Sequence, residues 1–283
     1  MGEALAVWAL FAAVTAAVLV TYARLPAARL YHVSGSGIAG GLSRALVFLN
    51  FPTAVAAIAL AGVAASRVPR LIAVAAILLC AVVAVPGVVE QSDLDAKPVN
   101  ALPACGVALA LALTVLAARR TGVGWAPRQR NDALRLLVGA VLVFGSLPWI
   151  AAELGFSFVR VPVLGTLFQT GELRSQPSDP TLHPAVHLGD HHGLEGTLLA
   201  LTGIVLSRRP LGPLLRAYVA LLVGYGVTNA IQDFWTEQVV KRGWTSYEIP
   251  SALQPSPHWT WALVAALAVA AYLVFTRPRP ALR

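Results

Sequence analysis

Hydrophobic residues in this chain are grouped into long runs separated by short polar stretches, instead of alternating with polar residues as in half-buried strands. Several runs extend for about eighteen residues or more without a charge, which is long enough for a helix that crosses a bilayer. We therefore predict an all-α fold, a polytopic helical membrane bundle, with residues 1–283 forming a single transmembrane domain. About eight spans are predicted, at residues 4–22, 44–65, 71–89, 101–118, 135–153, 187–206, 211–231 and 259–276.

Basic residues lie mostly in the connections between these runs, and they indicate an orientation. The positive-inside rule places short loops rich in arginine in the cytoplasm. Every second connection carries arginines: Arg67 and Arg70; Arg119, Arg120, Arg128, Arg130 and Arg135; Arg208, Arg209 and Arg216; and, after the last span, Arg277, Arg279 and Arg283. We expect these connections, and with them both termini, on the cytoplasmic side.

Composition narrows the class of protein further. Charged residues make up 12% of the chain, whereas soluble domains carry about 25%. The net charge of +8 does not indicate nucleic-acid binding, because the arginines lie in short loops without a binding motif. Nineteen arginines against two lysines, in an alanine-rich chain, suggest a bacterial source with GC-rich codons, and therefore the plasma membrane.

Two segments hint at an internal duplication. Residues 58–69, IALAGVAASRVP, match residues 199–210, LALTGIVLSRRP, at six positions that include Gly, Ser, Arg and Pro. The offset is half the chain, which suggests a 4+4 parallel repeat of residues 1–134 and 135–283. The alternative is that two cytoplasmic turns converged on Ser-Arg-x-Pro in a biased composition.

Titratable residues other than arginine are concentrated on the side opposite the basic loops. The predicted orientation places all six histidines there, and every acidic residue except Glu3 and Asp132. The cytoplasmic halves of the predicted spans are nearly free of ionisable groups. We therefore expect any polar chemistry on the extracytoplasmic side.

The stretch HPAVHLGDHHGLEG, residues 183–196, contains four of the six histidines. If a helix starts at Pro184, His187 and His191 are i, i+4 neighbours on one face, a spacing found in helical zinc sites. Asp190 or Asp233 would supply a third, oxygen ligand. A catalytic zinc needs three protein ligands and an open position for water. The sequence therefore predicts a zinc site at this helix end.

Two glutamates are candidates for the general acid or base beside such a metal. Glu195 lies one turn deeper than His191 on the predicted helix, and Glu153 ends the fifth span. The alternative interpretation is a structural network, in which these groups cap helices, hold water or pair with arginines.

The same predicted helix has a second face of small residues. Gly189, Gly193, Gly196, Ala200 and Gly203 fall within a narrow arc at 100° per residue. Small-residue faces allow two helices to approach closely in a bilayer. We expect another span to pack against this face.

Three functions are compatible with these patterns. The first is a membrane-embedded, metal-dependent hydrolase that acts on a lipid or lipid-linked substrate at the outer leaflet. The second is a transporter of a small or apolar solute, although ion coupling needs polar groups near the midplane. The third is a non-catalytic assembly factor or a sensor whose histidines titrate near neutral pH.

Overall fold

A computed structural model describes residues 1–30, 33–89, 94–189, 191–253 and 256–276, and most of this part is helical. The helices are α1 Gly2–Arg24, α2 Gly37–Phe48, α3 Ala54–Ala64, α4 Arg70–Ala81, α5 Ala101–Thr121, α6 Asp132–Gly145, α7 Leu147–Glu153, α8 Leu164–Leu167, α9 His192–Leu206, α10 Pro213–Trp235 and α11 Trp259–Ala271. The strands β1 Leu173–Gln176 and β2 Asp179–Pro184 form an antiparallel hairpin between α8 and α9.

Five helical segments are long and apolar enough to cross a membrane: Gly2–Arg24, Gly37–Ala64, Pro98–Thr121, Pro213–Val240 and Trp259–Thr276. A sixth is possible if α6 and α7, which are bent by 56°, form one broken span. Two shorter apolar helices, Arg70–Ala84 and His192–Leu206, lie where the third and sixth spans are predicted. The membrane-embedded helical architecture is confirmed, whereas the count of eight spans and the repeat stay predictions.

The span that contains α2 and α3 is interrupted between them, where Pro52 removes a backbone donor. Two buried amides meet at this break. The Asn50 side chain donates to the Asn100 carbonyl at 3.0 Å, and the Asn100 side chain donates to Asn50 Oδ1 at 2.8 Å. Lipid offers no alternative hydrogen-bond partners. The paired amides therefore tie the break to the start of α5.

Helices α9 and α10 cross at glycines, in agreement with the small-residue face predicted for residues 189–203. A Cβ atom on Gly226 would lie 2.3 Å from the Gly196 carbonyl oxygen and 2.6 Å from the Ala200 nitrogen. A Cβ atom on Gly203 would lie 2.7 Å from the Val219 carbonyl oxygen. The two backbones are therefore in direct contact between Gly196 and Gly203.

One end of the bundle, which we call the arginine end, is joined by ion pairs around Glu3 and Asp132. The Arg208 guanidinium lies 3.2 Å from Asp132 Oδ2 and 3.7 Å from Glu3 Oε1. Arg209 pairs with Glu3 at 3.1 Å, and Arg135 pairs with Asp132 at 3.1 Å. The start of α1, the loop before α6 and the loop after α9 are thus at the same end of the molecule, as the charge pattern predicts.

The opposite end, which we call the histidine end, differs from the prediction in its local structure. The predicted helix start at Pro184 is wrong, because α9 begins at His192 and Pro184 belongs to β2. Gly189 has φ +106°, and a Cβ atom there would lie 2.1 Å from the Tyr22 hydroxyl. The backbone turns sharply under Tyr22 because only glycine fits there. The β hairpin is also a departure from an all-α fold.

Candidate metal centre

Three elements bring polar side chains together at the histidine end. The segment before α9 carries His191, α7 carries Trp149, and the C-terminal end of α10 carries Asp233. The helical path continues from α10 through a wider π-type turn, Thr236–Val240, which carries Glu237. Helix α10 starts at the arginine end and is 23 residues long, or about 35 Å. Asp233 and Glu237 are therefore at the far side of the bundle from Glu3.

His191, Asp233 and Glu237 form the centre of this cluster. Each offers one ligand atom, and these atoms all lie within 4.8 Å of one another. His191 Nδ1 lies 3.2 Å from Glu237 Oε1. Ligand atoms around a tetrahedral zinc, at bonds of about 2.0–2.2 Å, are separated by about 3.3–3.5 Å. The His191–Glu237 pair is close to this spacing, and Asp233 lies within 4.8 Å of both.

The histidine ring is held so that Nδ1 faces the carboxylates. Its other nitrogen, Nε2, lies 3.0 Å from the His187 carbonyl oxygen. If Nε2 carries the proton and donates it to this carbonyl, Nδ1 is free to bind a metal. A hydrogen bond from the second ring nitrogen to a carbonyl is usual for a metal-ligating histidine. His191 itself is 3% exposed.

Each carboxylate is also anchored through one of its oxygens. Asp233 Oδ2 accepts a hydrogen bond of 2.7 Å from the Gly193 backbone N–H. Glu237 Oε2 accepts a hydrogen bond from the indole N–H of Trp149, which is 1% exposed. The anchoring donors orient the second oxygen of each group, as outer-sphere partners do in metal sites.

The electrostatics of the ligand-free site favour a protonated His191. Burial alone would lower the pKa of His191, but the Glu237 and Asp233 carboxylates raise it to about 9. The neighbouring His187 behaves in the opposite way, because burial and the adjacent His191 hold its pKa well below 6.5. When both carboxylates are ionised, the cluster has more negative than positive charge, which a divalent cation would neutralise.

The structure brings together two of the four predicted metal ligands, His191 and Asp233. The His187 ring stacks on the His191 ring, with centroids 4.1 Å apart and planes inclined by 19°, but it is not one of the three clustered groups. Asp190 lies outside the described residues.

Sequence reasoning missed Glu237. The predicted seventh span ends at residue 231, because the following stretch contains several polar residues. The helix instead continues beyond that point, so Asp233 and Glu237 lie four residues apart on continuous helical backbone. If the predicted span is extended to residue 237, Asp233 and Glu237 are i, i+4 neighbours on one helix face, which would have indicated the pair.

The two predicted acid–base residues are both buried near the histidine end. Glu195 lies in the first turn of α9, and its Oε2 is 3.3 Å from His192 Nδ1. Glu153 ends α7, four residues after Trp149, and its backbone carbonyl accepts the Thr21 hydroxyl. Their catalytic roles stay predictions.

No protein-family model, curated protein or solved structure matches this chain. The functional argument therefore depends on the chemistry of the residues themselves.

Proposed function

We propose that this membrane protein is a metal-dependent hydrolase of a lipid or lipid-linked substrate. Its His191, Asp233 and Glu237 bind one divalent cation, zinc in the first instance. One nitrogen and two carboxylate oxygens suit zinc, and they leave a coordination position for water. A divalent ion lowers the pKa of such a water to about 7, which supplies the nucleophile that hydrolysis needs at neutral pH.

The observation that carries this proposal is the anchoring of each ligand by a further donor or acceptor. His191 is oriented by the His187 carbonyl, Asp233 by the Gly193 N–H and Glu237 by the Trp149 indole. A simple ion pair between His191 and Glu237 does not require Asp233 to be held beside it. Three preoriented ligand groups are what a metal site requires.

Glu195 is the proposed general acid or base. It is 4% exposed, in the first turn of α9, and it contacts the half-exposed ring of His192. This contact gives a buried carboxyl group a path for protons to the surface of the protein. A carboxyl in such a place can transfer a proton to a leaving group.

A lipid-linked substrate is favoured by the apolar surface around the histidine end. Trp244, Tyr247 and Trp259 are exposed there, and two of them are tied together by a hydrogen bond from Trp259 Nε1 to the Tyr247 hydroxyl at 3.0 Å. Aromatic side chains of this kind favour the boundary between lipid and water. Asp233, the least buried ligand, would face a substrate that arrives from that boundary.

We also propose that the histidine end faces the extracytoplasmic side of a bacterial plasma membrane, with about eight spans. The support is the arrangement of arginines, which the fold gathers at the opposite end. The two shorter apolar helices, Arg70–Ala84 and His192–Leu206, would then be the third and sixth spans.

A second candidate is a non-catalytic role. Both ring nitrogens of His191 already have partners, Glu237 and the His187 carbonyl. This geometry also suits a protonated histidine that locks α10 to the segment before α9. In that case the site would bind no metal.

Metal content distinguishes the two candidates. We expect the purified protein, incubated with zinc and then desalted, to retain about one equivalent, and His191→Ala and Glu237→Gln to lose it. His183→Ala is the matched control, because His183 lies on the nearby hairpin outside the cluster. A wild-type protein that retains no zinc, cobalt or manganese would rule out the metal centre.

Hydrolysis is tested with fluorescent ester, amide and phosphodiester lipids in mixed micelles. We expect cleavage of one class, lost on chelation and restored by zinc. Glu195→Gln should keep the metal but lower kcat by about 100-fold or more. Full activity in the chelated protein, or in His191→Ala, contradicts the proposed mechanism.

A further inference from the structure

The arginine end contains a cavity of about 1640 Å³ that the proposed hydrolysis does not use. It lies between the end of α3, the loop from α5 to α6, the loop from α9 to α10 and the C-terminal end of the last described helix. Small-molecule sites are about 300–1,000 Å³. The cavity is therefore large enough for a lipid headgroup together with the beginning of its chains.

The wall of the cavity is strongly basic. Six arginines line it, and no acidic residue is among the lining residues in the described part of the chain. The six are Arg67, Arg130, Arg135, Arg208, Arg209 and Arg216. Glu3 and Asp132 lie behind this wall, where they pair with three of the arginines.

The other three arginines have no such compensation. No described acidic residue forms an ion pair with Arg67, Arg130 or Arg216, and the buried Nε of Arg216 has no hydrogen-bond partner in the described structure. A buried guanidinium donor without a partner is costly. Arg67 and Arg130 are exposed along the same cavity, so three lining cations without an acidic partner in the described structure favour an anion there.

Apolar side chains also line the cavity, among uncharged polar ones such as Ser66 and Asn131, and they favour a lipid over a small anion. Val63, Leu215, Val274 and Trp125 line the cavity together with the arginines. A small inorganic anion does not require apolar contacts. A phospholipid combines a phosphate group, which arginine binds through two parallel hydrogen bonds, with acyl chains that match leucine and valine.

We propose that this cavity binds the phosphate group of an anionic phospholipid. Basic pockets between helices are established sites for anionic headgroups on the cytoplasmic side of membrane proteins. Arg216, Arg67 and Arg130 bind the phosphate, and the Glu3 and Asp132 pairs hold the other arginines in place. The site is separate from the metal centre, since α10 places the two at opposite ends.

Native mass spectrometry of the detergent-purified full chain tests this proposal with two probes, phosphatidylglycerol and inorganic phosphate. We expect the wild type to retain phosphatidylglycerol in preference to phosphatidylcholine. The combined substitution Arg67→Gln, Arg130→Gln and Arg216→Gln should weaken retention about tenfold or more, given the strength of charge-assisted hydrogen bonds. Arg119→Gln, an exposed arginine at the same end that does not line the cavity, is the matched control.

Each outcome is informative. Retention of phosphatidylglycerol that phosphate reduces supports the headgroup assignment. Binding of inorganic phosphate without retention of phosphatidylglycerol would indicate a site for a free phosphate compound and contradicts the lipid proposal. Equal lipid retention by the triple variant and Arg119→Gln also overturns it. Unchanged elution volume and metal content in the triple variant show that the fold is intact and keep this test independent of the metal centre.

Discussion

At the residue scale, the histidine end depends on a few side chains that support the three candidate ligands without being ligands themselves. Trp149 is an example. Its indole N–H donates to Glu237, and its ring lies so close to Gly193 that a Cβ atom there would be 2.2 Å from it. One tryptophan therefore orients a ligand and positions the start of α9, where the Gly193 N–H anchors Asp233.

Replacement of this tryptophan should weaken metal binding without removing a ligand. Trp149→Phe keeps an aromatic ring but loses the donor to Glu237, so we expect zinc affinity to fall by about 10–100-fold. Competition with a chromophoric chelator measures this affinity. Trp125→Phe, at the arginine end, serves as control, and an unchanged affinity in Trp149→Phe would show that the indole does not orient the ligand.

The protonation of His191 gives a second prediction, on the metal-free protein. The folded-state pKa of about 9 is above the unfolded value of about 6.5. The stabilisation from Glu237 and Asp233 is therefore complete below pH 6.5 and is lost as the pH rises through 9. The pKa of His187 is lowered, so protonation of His187 reduces the stability of the fold only below about pH 6.5.

We expect the free energy of unfolding of chelated protein to fall between pH 6.5 and 9, and His191→Gln to flatten this slope. Denaturant unfolding in detergent at several pH values measures both. A slope that persists unchanged in His191→Gln would assign the titration to another group.

At the element scale, the contact between α9 and α10 positions the site. Gly196, Gly203 and Gly226 remove side chains from the crossing, so the two helices meet through backbone atoms. This contact holds Gly193, at the start of α9, beside Asp233, near the end of α10. Because neither helix can move away from the other without losing many contacts, the separation of the two ends is set by packing.

A methyl group at this crossing should therefore be destabilising. Gly226→Ala places Cβ against the backbone of Gly196 and Ala200, and we expect a loss of about 1–3 kcal/mol. Gly145→Ala, where a Cβ atom meets nothing within 4 Å, should be neutral or gain about 0.4–1 kcal/mol. Thermal unfolding in detergent compares them, and equal midpoints would contradict the close crossing.

At the scale of the whole molecule, charge is sorted between the two ends. The arginine end contains Glu3 and Asp132 in ion pairs and an arginine-lined cavity, whereas the histidine end contains the clustered carboxylates. This separation follows the bundle axis, because α10 connects one end to the other. The proposed binding sites match this charge separation: the carboxylates at the histidine end bind a cation, and the arginines at the other end bind a phosphate group.

The sorting predicts which engineered cysteines an impermeant reagent can reach. In a background with alanine at Cys80 and Cys105, we expect Leu182→Cys to react in intact cells and Val123→Cys to react only after lysis. Both positions are exposed, so burial does not limit either reaction. Reaction of both in intact cells would contradict the proposed orientation.

The sequence alone determined that this protein is a membrane-embedded helical bundle, because the length and hydrophobicity of a span are properties of consecutive residues. It also determined which loops share an end of the molecule, since successive spans alternate in direction. His191 and Asp233 were predicted as ligands because histidine and aspartate are unusual at the end of an apolar run.

Only the tertiary structure decided which groups join them. Glu237 enters the cluster because α10 continues past the predicted end of its span, and helix ends in a folded protein are set by packing as well as by local polarity. The backbone turns at Gly189 under Tyr22, so residues 187–191 do not form the predicted helix. His187 therefore contacts His191 Nε2 through its backbone carbonyl and is not a metal ligand beside it. Contacts between residues far apart in the chain have no local signature, so the site emerged only with the fold.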